Sequence, residues 1–492
     1  MAVTFAPNSL VENRRVAVSF APNSWEYRRR RGTMGSVRAR APSDGVWTPG
    51  RRALTLGLVF TITLVGFEGL AIATILKVID DDLRDIGLLG WVFSAFFLSS
   101  LFGVVAAGRD ADRNGPARPF VVGLALFALG LLAGGLAPNM VVLVAARSVQ
   151  GIGAGAIPAV AYVAIGRAYP AALQPRMFAV MSSAWVLPGL IGPAISGAVA
   201  ETFGWRWVFL GLLPLVALAA VMTTRALHAL GAPGGGEPID LRVDALTLVV
   251  GAALVLAGAS SHSAVATPLL VVAGFVVGAR AFSRLVPRGT VRLKHGLPAA
   301  VALRGLATFA FFGTDAYVSF TVTSLRHASI ALGGAALTVT TLTWTAGSWI
   351  QERRVHRIGP QTFVRVGLLV IACGIGLMIV VARFAVPPAT AVLAWGVAGL
   401  GMGLAYAPLS LVVLAEAPAG AEGTVSAALQ LCDTLGVALG TGVTGAIVAA
   451  GASLAWTRAT ALTVAFALCA AVAIIAAVGA LRLPATIEDP QG

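Results

Sequence analysis

Apolar residues recur along this chain in blocks of about 20, separated by short segments that carry most of the charged residues. A helix of about 20 apolar residues can cross roughly 30 Å of hydrocarbon. The blocks are apolar on every side, which excludes a bundle of solvent-facing amphipathic helices. The pattern predicts an all-α, polytopic membrane protein. The fourteen predicted spans lie at 54–75, 88–107, 120–136, 141–165, 178–200, 207–222, 245–259, 265–277, 299–322, 330–350, 363–381, 389–414, 424–449 and 461–480.

Basic residues collect in alternate loops, and this asymmetry predicts how the spans are oriented. Lys and Arg are enriched on the cytoplasmic side of membrane proteins. Loops on the other side are short, and one is acidic, with Asp80, Asp81, Asp82 and Asp85. An even number of spans with both termini in the cytoplasm satisfies this pattern. The basic loops contain Arg51, Arg52, Arg109, Arg113, Arg118, Arg167, Arg176, Arg225, Arg242, Arg280, Arg284, Arg288, Arg292, Lys294, Arg353, Arg354 and Arg357.

A polar segment, GAPGGGEP at 231–238, divides the chain after the sixth predicted span. This composition is typical of a flexible linker. Two extra spans and then six more follow it, as in transporters with duplicated halves. The loops GRDADRNGPAR and QERRVHRIGP, each after the second span of its half, both place basic residues before a Gly-Pro turn. The two short extra spans either cross fully or form a hairpin that crosses only part of the bilayer.

The first fifty residues differ from the rest. They are rich in arginine, and VTFAPNS at 3–9 returns as VSFAPNS at 18–24. They are predicted to be a disordered cytoplasmic tail, the alternative being a mis-assigned start with Met34 as the true initiator. The predicted segments are a tail at 1–50, a six-helix bundle at 51–226, a linker with two extra helices at 227–297, a six-helix bundle at 298–482 and a cytoplasmic tail at 483–492.

Composition supports a membrane protein and narrows its function. Of 492 residues, 58% are hydrophobic and 11% charged, against roughly 25% charged in soluble proteins. The net charge of +14 lies in loops and the tail, which indicates membrane orientation rather than a nucleic-acid-binding face. The three cysteines lie in apolar blocks, and the glycine-rich runs lack the Lys-Ser/Thr of a nucleotide site. No enzymatic, cofactor, metal, nucleotide or nucleic-acid role is predicted.

Three motifs occupy fixed places among the spans. The loop after the second span reads GRDADRNGPAR at 108–118, and the fourth span contains RSVQGIGAGA at 147–156. The fifth span carries Pro188, Gly189, Gly192, Pro193 and Gly197. Through these motifs, residues 51–482 resemble the major facilitator superfamily, specifically its branch of fourteen-span drug:proton antiporters. The resemblance implies two six-helix bundles that rock about a central site.

The first motif fits the family pattern G-x-x-x-D-R-x-G-x-x-R through Gly108, Asp112, Arg113, Gly115 and Arg118. Gly115 permits a tight turn, and Asp112 can face the positive end of another helix. The resemblance implies a latch that holds the two halves together on the cytoplasmic side. The alternative is the ordinary enrichment of basic residues in a cytoplasmic loop, which explains the arginines but not Asp112 and Gly115. The corresponding loop of the second half, QERRVHRIGP, lacks an acidic residue at the position that matches Asp112.

The second motif resembles the family's R-x-x-x-G-x-G-x-A, with Gly155 at the final alanine. Because an arginine inside a span costs at least ~2.5–3.5 kcal/mol unless paired or hydrated, Arg147 is predicted to be functional. The third motif resembles the antiporter signature G-x-x-x-G-P-x-x-G-G, with Pro188 at the leading glycine and Ser196 at the first of the final pair. Proline removes a backbone hydrogen bond and glycines let helices approach closely. This motif favours export.

Charged residues inside the spans are the candidates for coupling. A rise of 1.5 Å per residue places Glu68 about 24 Å from the cytoplasmic face, and Arg147 about 20 Å from it, so the two are predicted to pair. Asp315 reaches the same layer and Asp433 lies nearer the midplane. Desolvation favours the neutral form of such carboxyl groups, so they can bind and release protons. Glu68 is predicted to be the principal coupling residue; the alternatives are a static ion pair and, for the two aspartates, interhelical hydrogen bonds.

Aromatic residues suggest where a substrate could bind. Trp185, Tyr317, Trp344, Trp349 and Tyr406 lie in spans that can line a central cavity, which suits an amphipathic or aromatic compound. The alternative is packing or anchoring at the membrane interface.

The predicted function is proton-coupled export of small lipophilic or cationic compounds such as drugs, by alternating access in the plasma (inner) membrane. Proton-coupled uptake and a non-transporting sensor or lipid-handling protein on the same fold are the alternatives, because fold does not determine function. The predicted partners are a small-molecule substrate, protons and the lipid bilayer, with the protein acting as a monomer.

Overall fold

The structure, a computed structural model, describes residues 45–83, 86–231, 241–259, 265–453 and 455–486. The predicted tail at 1–50 lies outside the described residues except for 45–50, and so does the linker beyond Gly231. The helices are α1 (Pro49–Leu83), α2 (Ile86–Asn114), α3 (Ala117–Gly135), α4 (Met140–Ala168), α5 (Gln174–Ser183), α6 (Val186–Phe203), α7 (Arg206–Leu210), α8 (Leu213–His228), α9 (Arg242–Ala259), α10 (Ala266–Leu285), α11 (Leu297–Phe320), α12 (Ile330–Ile358), α13 (Pro360–Arg383), α14 (Thr390–Ala415), α15 (Glu422–Ser453) and α16 (Arg458–Gly479).

Each of the fourteen predicted spans coincides with one helix or with two consecutive helices. The fifth span is divided into α5 and α6, and the sixth into α7 and α8. Among the described residues, nine helices are long and apolar enough to cross a membrane, or ten when the two segments Ala171–Gly192 and Ile195–Phe203, which meet at a bend, count as one span. The all-helical prediction is confirmed, and length and composition support nine or ten crossings.

The second of the two extra helices is longer than predicted. Beyond the predicted span, α10 continues for about two further turns to Leu285 and includes Arg280 and Arg284. Long arginine side chains can extend from a helix end toward polar headgroups, so basic residues need not end the helix. At 20 residues, α10 is one of the candidate crossings. Gly251 of α9 and Gly274 of α10 bring the two extra helices into close contact.

Two tight reversals fix how consecutive helices meet. Gly115, between α2 and α3, has φ 82°, and Gly359, between α12 and α13, has φ 87°. Both values lie in the region that favours glycine, and each glycine precedes a proline, Pro116 or Pro360, which suits a helix start. These two turns mark one end of the helical bundle, which is named the basic face here because its loops carry most of the arginines.

The two halves share one set of close helix contacts. A Cβ added to Gly103 of α2 would lie 2.0 Å from the Ile152 carbonyl of α4, and one added to Gly347 of α12 would lie 2.6 Å from the Leu400 carbonyl of α14. Further matched pairs are Gly123 and Gly367, Gly130 and Gly374, Gly151 and Gly399, Gly153 and Gly401, and Gly155 and Gly403. The second-half member follows its counterpart by 244 positions in α12 and α13, and by 248 in α14.

This constant spacing has a simple structural meaning. In α4, two of the three alternate glycines pack on α2 and the middle one packs on α3. In α14, two of the three pack on α12 and the middle one packs on α13. Without side chains, these helices approach closely enough for backbone contact along their length. Each half is therefore organised around its fourth helix, in the same register.

The glycine contacts predict a stability experiment. Gly151→Ala and Gly399→Ala should each lower the free energy of unfolding of the purified protein by about 1–3 kcal/mol, and with it the melting temperature. The reason is that the added methyl group would overlap a neighbouring backbone. Gly376→Ala, in α13, is the matched control, because nothing lies within 4 Å of its added Cβ. Alanine favours helix over glycine by about 1 kcal/mol, so the control should be neutral or stabilising. Equal melting temperatures for all three variants would contradict this packing account.

Candidate functional site

The first cluster of buried charges joins α1 to α4. Arg147 donates hydrogen bonds to Glu68 Oε1, to Gln150 Oε1 at 2.7 Å and to the Val92 carbonyl at 3.1 Å. Its guanidinium lies 4.2 Å from the centre of the Phe96 ring. Glu68 and Arg147 are each 1% exposed, and within the described residues Glu68 Oε2 accepts no hydrogen bond. The predicted contact between these two residues is present, so neither charge is buried alone.

A second buried cluster joins α11, α14 and α15, and its centre, Arg304, was not among the predicted residues. Arg304 donates to Ser410 Oγ, and its guanidinium lies 3.4 Å from the centre of the Tyr406 ring. Its Nε is 3.9 Å from Asp433 Oδ1, while the Tyr406 hydroxyl donates to Asp433 Oδ2 at 3.0 Å. Tyr162 of α4 is a further polar residue near the guanidinium. Asp433 is therefore less tightly compensated than Glu68.

Asp315 of α11 belongs to neither cluster. Its Oδ1 accepts a 2.7 Å hydrogen bond from the indole of Trp395 in α14, which is fully buried. Phe311 stacks on Trp395 with ring centres 4.9 Å apart, and Trp344 meets Phe311 edge-on at 5.5 Å. The carboxylate thus lies beside an aromatic cluster and is bonded to a neutral partner.

Asp112, the predicted latch residue near the end of α2, contacts the N-terminus of α15. Its carboxylate accepts hydrogen bonds from the backbone of Gly423 at 2.6 Å, the backbone of Thr424 at 2.7 Å and the Thr424 hydroxyl at 2.7 Å. The positive end of a helix favours a negative charge, so this contact joins the two halves at the basic face. Gly108 packs directly on the Gly423 backbone, which lets α2 and α15 approach closely.

Arg113 and Arg118 of the first motif are not the partners of Asp112. Arg113 is exposed, and Arg118 lies 3.7 Å from Asp110 instead. The cation beside Asp112 is Arg167, at the end of α4, which is 3.7 Å from Asp112 and 3.2 Å from Glu422. Arg113, in the last turn of α2, and Arg118, in the first turn of α3, are both exposed, so the cation beside Asp112 comes from α4 instead.

The fifth span bends where its motif lies. The helix axis turns by 44° between Gly192 and Ile195, the segment that contains Pro193. Nearer the basic face, Gly189 lies against Thr341 of α12, 3.5 Å from an added Cβ. Pro188 is buried, and the space beside Gly197 is open. The motif therefore separates a segment that packs on the second half from one that bends away.

Two hydrogen bonds extend this contact between the halves. Ser348 donates to Ser182 at 3.1 Å, and the Trp349 indole donates to Ser183 at 3.0 Å. Both link α12 to α5, which is the part of the fifth span on the basic-face side of the bend. Together with the contact at Asp112, they close the basic face on two sides.

The predicted cavity residues do not all meet. Trp344 and Tyr406 are neighbours, with ring centres 5.3 Å apart. Tyr317 lies elsewhere on α11, and Trp185, 47% exposed, packs against Gly66 of α1. Two cavities near the basic face, of about 460 and 520 Å³, are lined by other residues.

Residues 56–441 match the sequence profile of the Major Facilitator Superfamily. The chain belongs to this superfamily. A probable multidrug-efflux transporter of Mycobacterium tuberculosis is 30% identical over 438 residues, which cover 83% of this chain and 90% of the relative. The multidrug transporter MdtP of Bacillus subtilis is 26% identical over 415 residues, covering 81% and 76%. The multidrug efflux pump LfrA of Mycolicibacterium smegmatis is 26% identical over 414 residues, covering 82% of each chain.

Solved structures agree on the fold. The human organic anion transporter MFSD10 superposes with a TM-score of 0.65 at 15% identity, covering 88% of this chain and all of that one. The proton:xylose symporter XylE superposes with a TM-score of 0.63 at 14% identity, covering 87% of this chain and 94% of that one. At such identities the likeness establishes the fold alone. The chain is thus a multi-pass membrane transporter of this superfamily.

The contact at Asp112 predicts a shift in conformation. Asp112→Asn should open the basic face about tenfold more often, because hydrogen bonds to a charged acceptor contribute about 1.5–3 kcal/mol and the amide weakens them. The measurement is maleimide labelling of Ala427→Cys, a buried position packed on Val104 and Ala159, in a variant without the native cysteines.

Asp110→Asn is the matched control for this experiment. Asp110 also ends α2 but pairs with an exposed arginine, and exposed ion pairs contribute about 0–1 kcal/mol. The control should label at the parent rate. Equal labelling of Asp112→Asn and the control would contradict a role for Asp112 in holding the basic face closed.

Proposed function

We propose that this protein is a proton-coupled exporter of small lipophilic or cationic compounds, which works by alternating access in the plasma membrane. In this proposal the chain crosses the bilayer fourteen times with both termini in the cytoplasm, and the basic face is the cytoplasmic face. Two six-helix bundles, 51–226 and 298–482, form the transport unit, and 227–297 adds the two extra helices. The protein acts as a monomer.

Closure of one end supports alternating access. The halves meet at the basic face through the Asp112 contact and the hydrogen bonds between α5 and α12. The fifth span bends by 44° between Gly192 and Ile195, beyond the residues that make this contact. A rocking motion about the centre would break these contacts and open the basic face. The structure thus corresponds to an outward-facing state in this proposal.

The observation that carries the proposal is the fully buried pair of Glu68 and Arg147. Ionisable groups inside a membrane protein are costly, so their presence at this depth points to ion or proton transfer. When Arg147 moves away during rocking, Glu68 loses its counter-charge and a proton can replace it. Exchange of this proton for substrate would use the proton gradient as the source of energy.

The substrate class rests on two supports. Ring faces and an uncompensated carboxylate, as in the cluster of Trp344, Phe311, Trp395 and Asp315, attract organic cations and lipophilic rings. The relatives named above are called multidrug transporters or efflux pumps. The Pro193 bend and its glycines fit the antiporter signature, which favours export over uptake.

Glu68→Gln tests the assignment of the coupling residue. In everted membrane vesicles, the rate of proton-driven dye transport by the variant should be at least about tenfold lower than that of the parent protein. The reason is that the neutral amide cannot exchange a proton. Glu201→Gln is the matched control, since Glu201 is an exposed carboxylate near the end of α6. The control should transport like the parent protein.

Three results would count against the proposal. Intact proton-driven efflux in Glu68→Gln would remove Glu68 from the coupling role. Accumulation of substrate together with protons would indicate uptake instead of export. No flux of any compound from a broad panel, in reconstituted and folded protein, would favour a non-transporting protein on this fold.

A further inference from the structure

The matched glycine contacts also align the buried polar side chains of the two fourth helices. Arg147 stands four residues before Gly151, and Trp395 stands four residues before Gly399. These two glycines are equivalent, because each packs on the second helix of its own half. Trp395 is therefore the second-half counterpart of Arg147. Both side chains are fully buried.

The first helices of the halves align in the same way. Glu68 stands two residues after Gly66 in α1, and Asp315 stands two residues after Gly313 in α11. Each of these glycines contacts the fifth helical span of its own half, with 3.0 Å from an added Cβ to the nearest atom of that span. Asp315 is thus the counterpart of Glu68.

Both halves therefore contain the same bond, from a donor on the fourth helix to a carboxylate on the first. In the first half the donor is the guanidinium of Arg147, which carries a positive charge. In the second half the donor is the neutral indole of Trp395, at 2.7 Å from Asp315. The second half thus has the corresponding hydrogen bond without the counter-charge.

Among the described residues, no other cation takes the place of the missing counter-charge beside Asp315. The partner of Asp315 on another helix is the neutral indole of Trp395 from α14. Around Gly313, two residues earlier in α11, lie the Thr444 hydroxyl of α15 and the Cys469 thiol of α16, and neither is a cation. The nearest arginines along the chain, Arg304 and Arg326, are each eleven residues away, or about 16 Å along a helix. Both have contacts elsewhere, Arg304 with Ser410 and Arg326 with the Val386 carbonyl.

The two pairs respond differently to a proton. Protonating Glu68 in this conformation would leave the buried guanidinium of Arg147 without its counter-ion, which is strongly unfavourable. Asp315 is half-buried and has no cationic partner among the described residues, so protonating its Oδ2 removes a partly desolvated charge without leaving a counter-ion unpaired. The Trp395 indole still donates to Oδ1 in both forms, so no hydrogen bond is lost.

We propose that Asp315 is a second proton-binding site, positioned by Trp395, which holds its proton in the conformation with a closed basic face. Asp315 then takes up a proton from water as a carboxylate and becomes a carboxylic acid, while Glu68 stays ionised against Arg147. This inference rests on the proposed proton coupling for its role in transport. The two carboxyl groups would exchange protons in different states of the cycle.

Reaction with dicyclohexylcarbodiimide tests the site without any substrate. This reagent modifies protonated carboxyl groups in apolar surroundings, and mass spectrometry of the purified full-length protein locates the modified residue. Asp315 should be labelled at least about tenfold more than Glu68, with the label declining as pH rises. Arg147→Gln should make Glu68 reactive, because its partner is then neutral like Trp395.

Variants at Trp395 separate a positioning role from a packing role. Trp395→Arg should suppress labelling of Asp315 by restoring the counter-charge of the first half. Trp395→Phe keeps an aromatic ring but removes the N–H donor, so it should shift the pH at which labelling declines to higher values. Glu68 labelled as strongly as Asp315, or Asp315 unlabelled at every pH in folded protein, would overturn the proposal.

The proposed proton-binding site at Asp315 also predicts a change in the number of protons exchanged during transport. In proteoliposomes with tetraphenylphosphonium as the probe, Asp315→Asn should lower the number of protons exchanged per probe molecule, and Asp315→Glu should restore it. If Asp315 is labelled as expected but the parent protein moves no protons, proton coupling fails while the proton site stands. An unchanged proton ratio in folded Asp315→Asn, with coupling intact in the parent, would contradict the role of this site in transport.

Discussion

Burying a guanidinium in an apolar bundle is the constraint on which the rest of this structure depends. Arg147 is paired with Glu68 of α1, and the alternate glycines of α4 bring α2 and α3 within backbone contact of the helix that carries this arginine. The Phe96 ring and the Val92 carbonyl, both on α2, complete its surroundings. Close packing and charge compensation are therefore one requirement, since a looser bundle would leave the arginine with fewer partners.

The same framework, repeated in the second half, carries different chemistry. The glycines of α14 reproduce those of α4, yet Trp395 occupies the place of Arg147. The arginine of the second half lies instead on α11, where Arg304 meets Asp433 at 3.9 Å. The carboxylates of Glu68, Asp315 and Asp433 thus differ in how fully a cation compensates them. Such a gradation would let them exchange protons at different stages of one rocking cycle.

The sequence was sufficient for the helices and for part of the site. Each apolar block coincided with one helix or two consecutive helices because burial in lipid demands long apolar runs, and helical rise placed Glu68 near Arg147. Arg304 was missed although the same rule, a charge within an apolar block, identifies it. Trp395 and Arg167 could not be found this way, because their roles depend on which helices pack together. The partner of Asp112 was set by that packing too.

Simultaneous measurement of substrate and proton movement tests the central claim of proton-coupled export most directly. It requires the purified protein in proteoliposomes of known orientation and a compound selected by hypersensitivity of a deletion strain. The account predicts that substrate leaves the basic-face side as protons move the opposite way, with a rate that follows the imposed pH gradient. Substrate flux that ignores the pH gradient, or that moves in the same direction as protons, would contradict it.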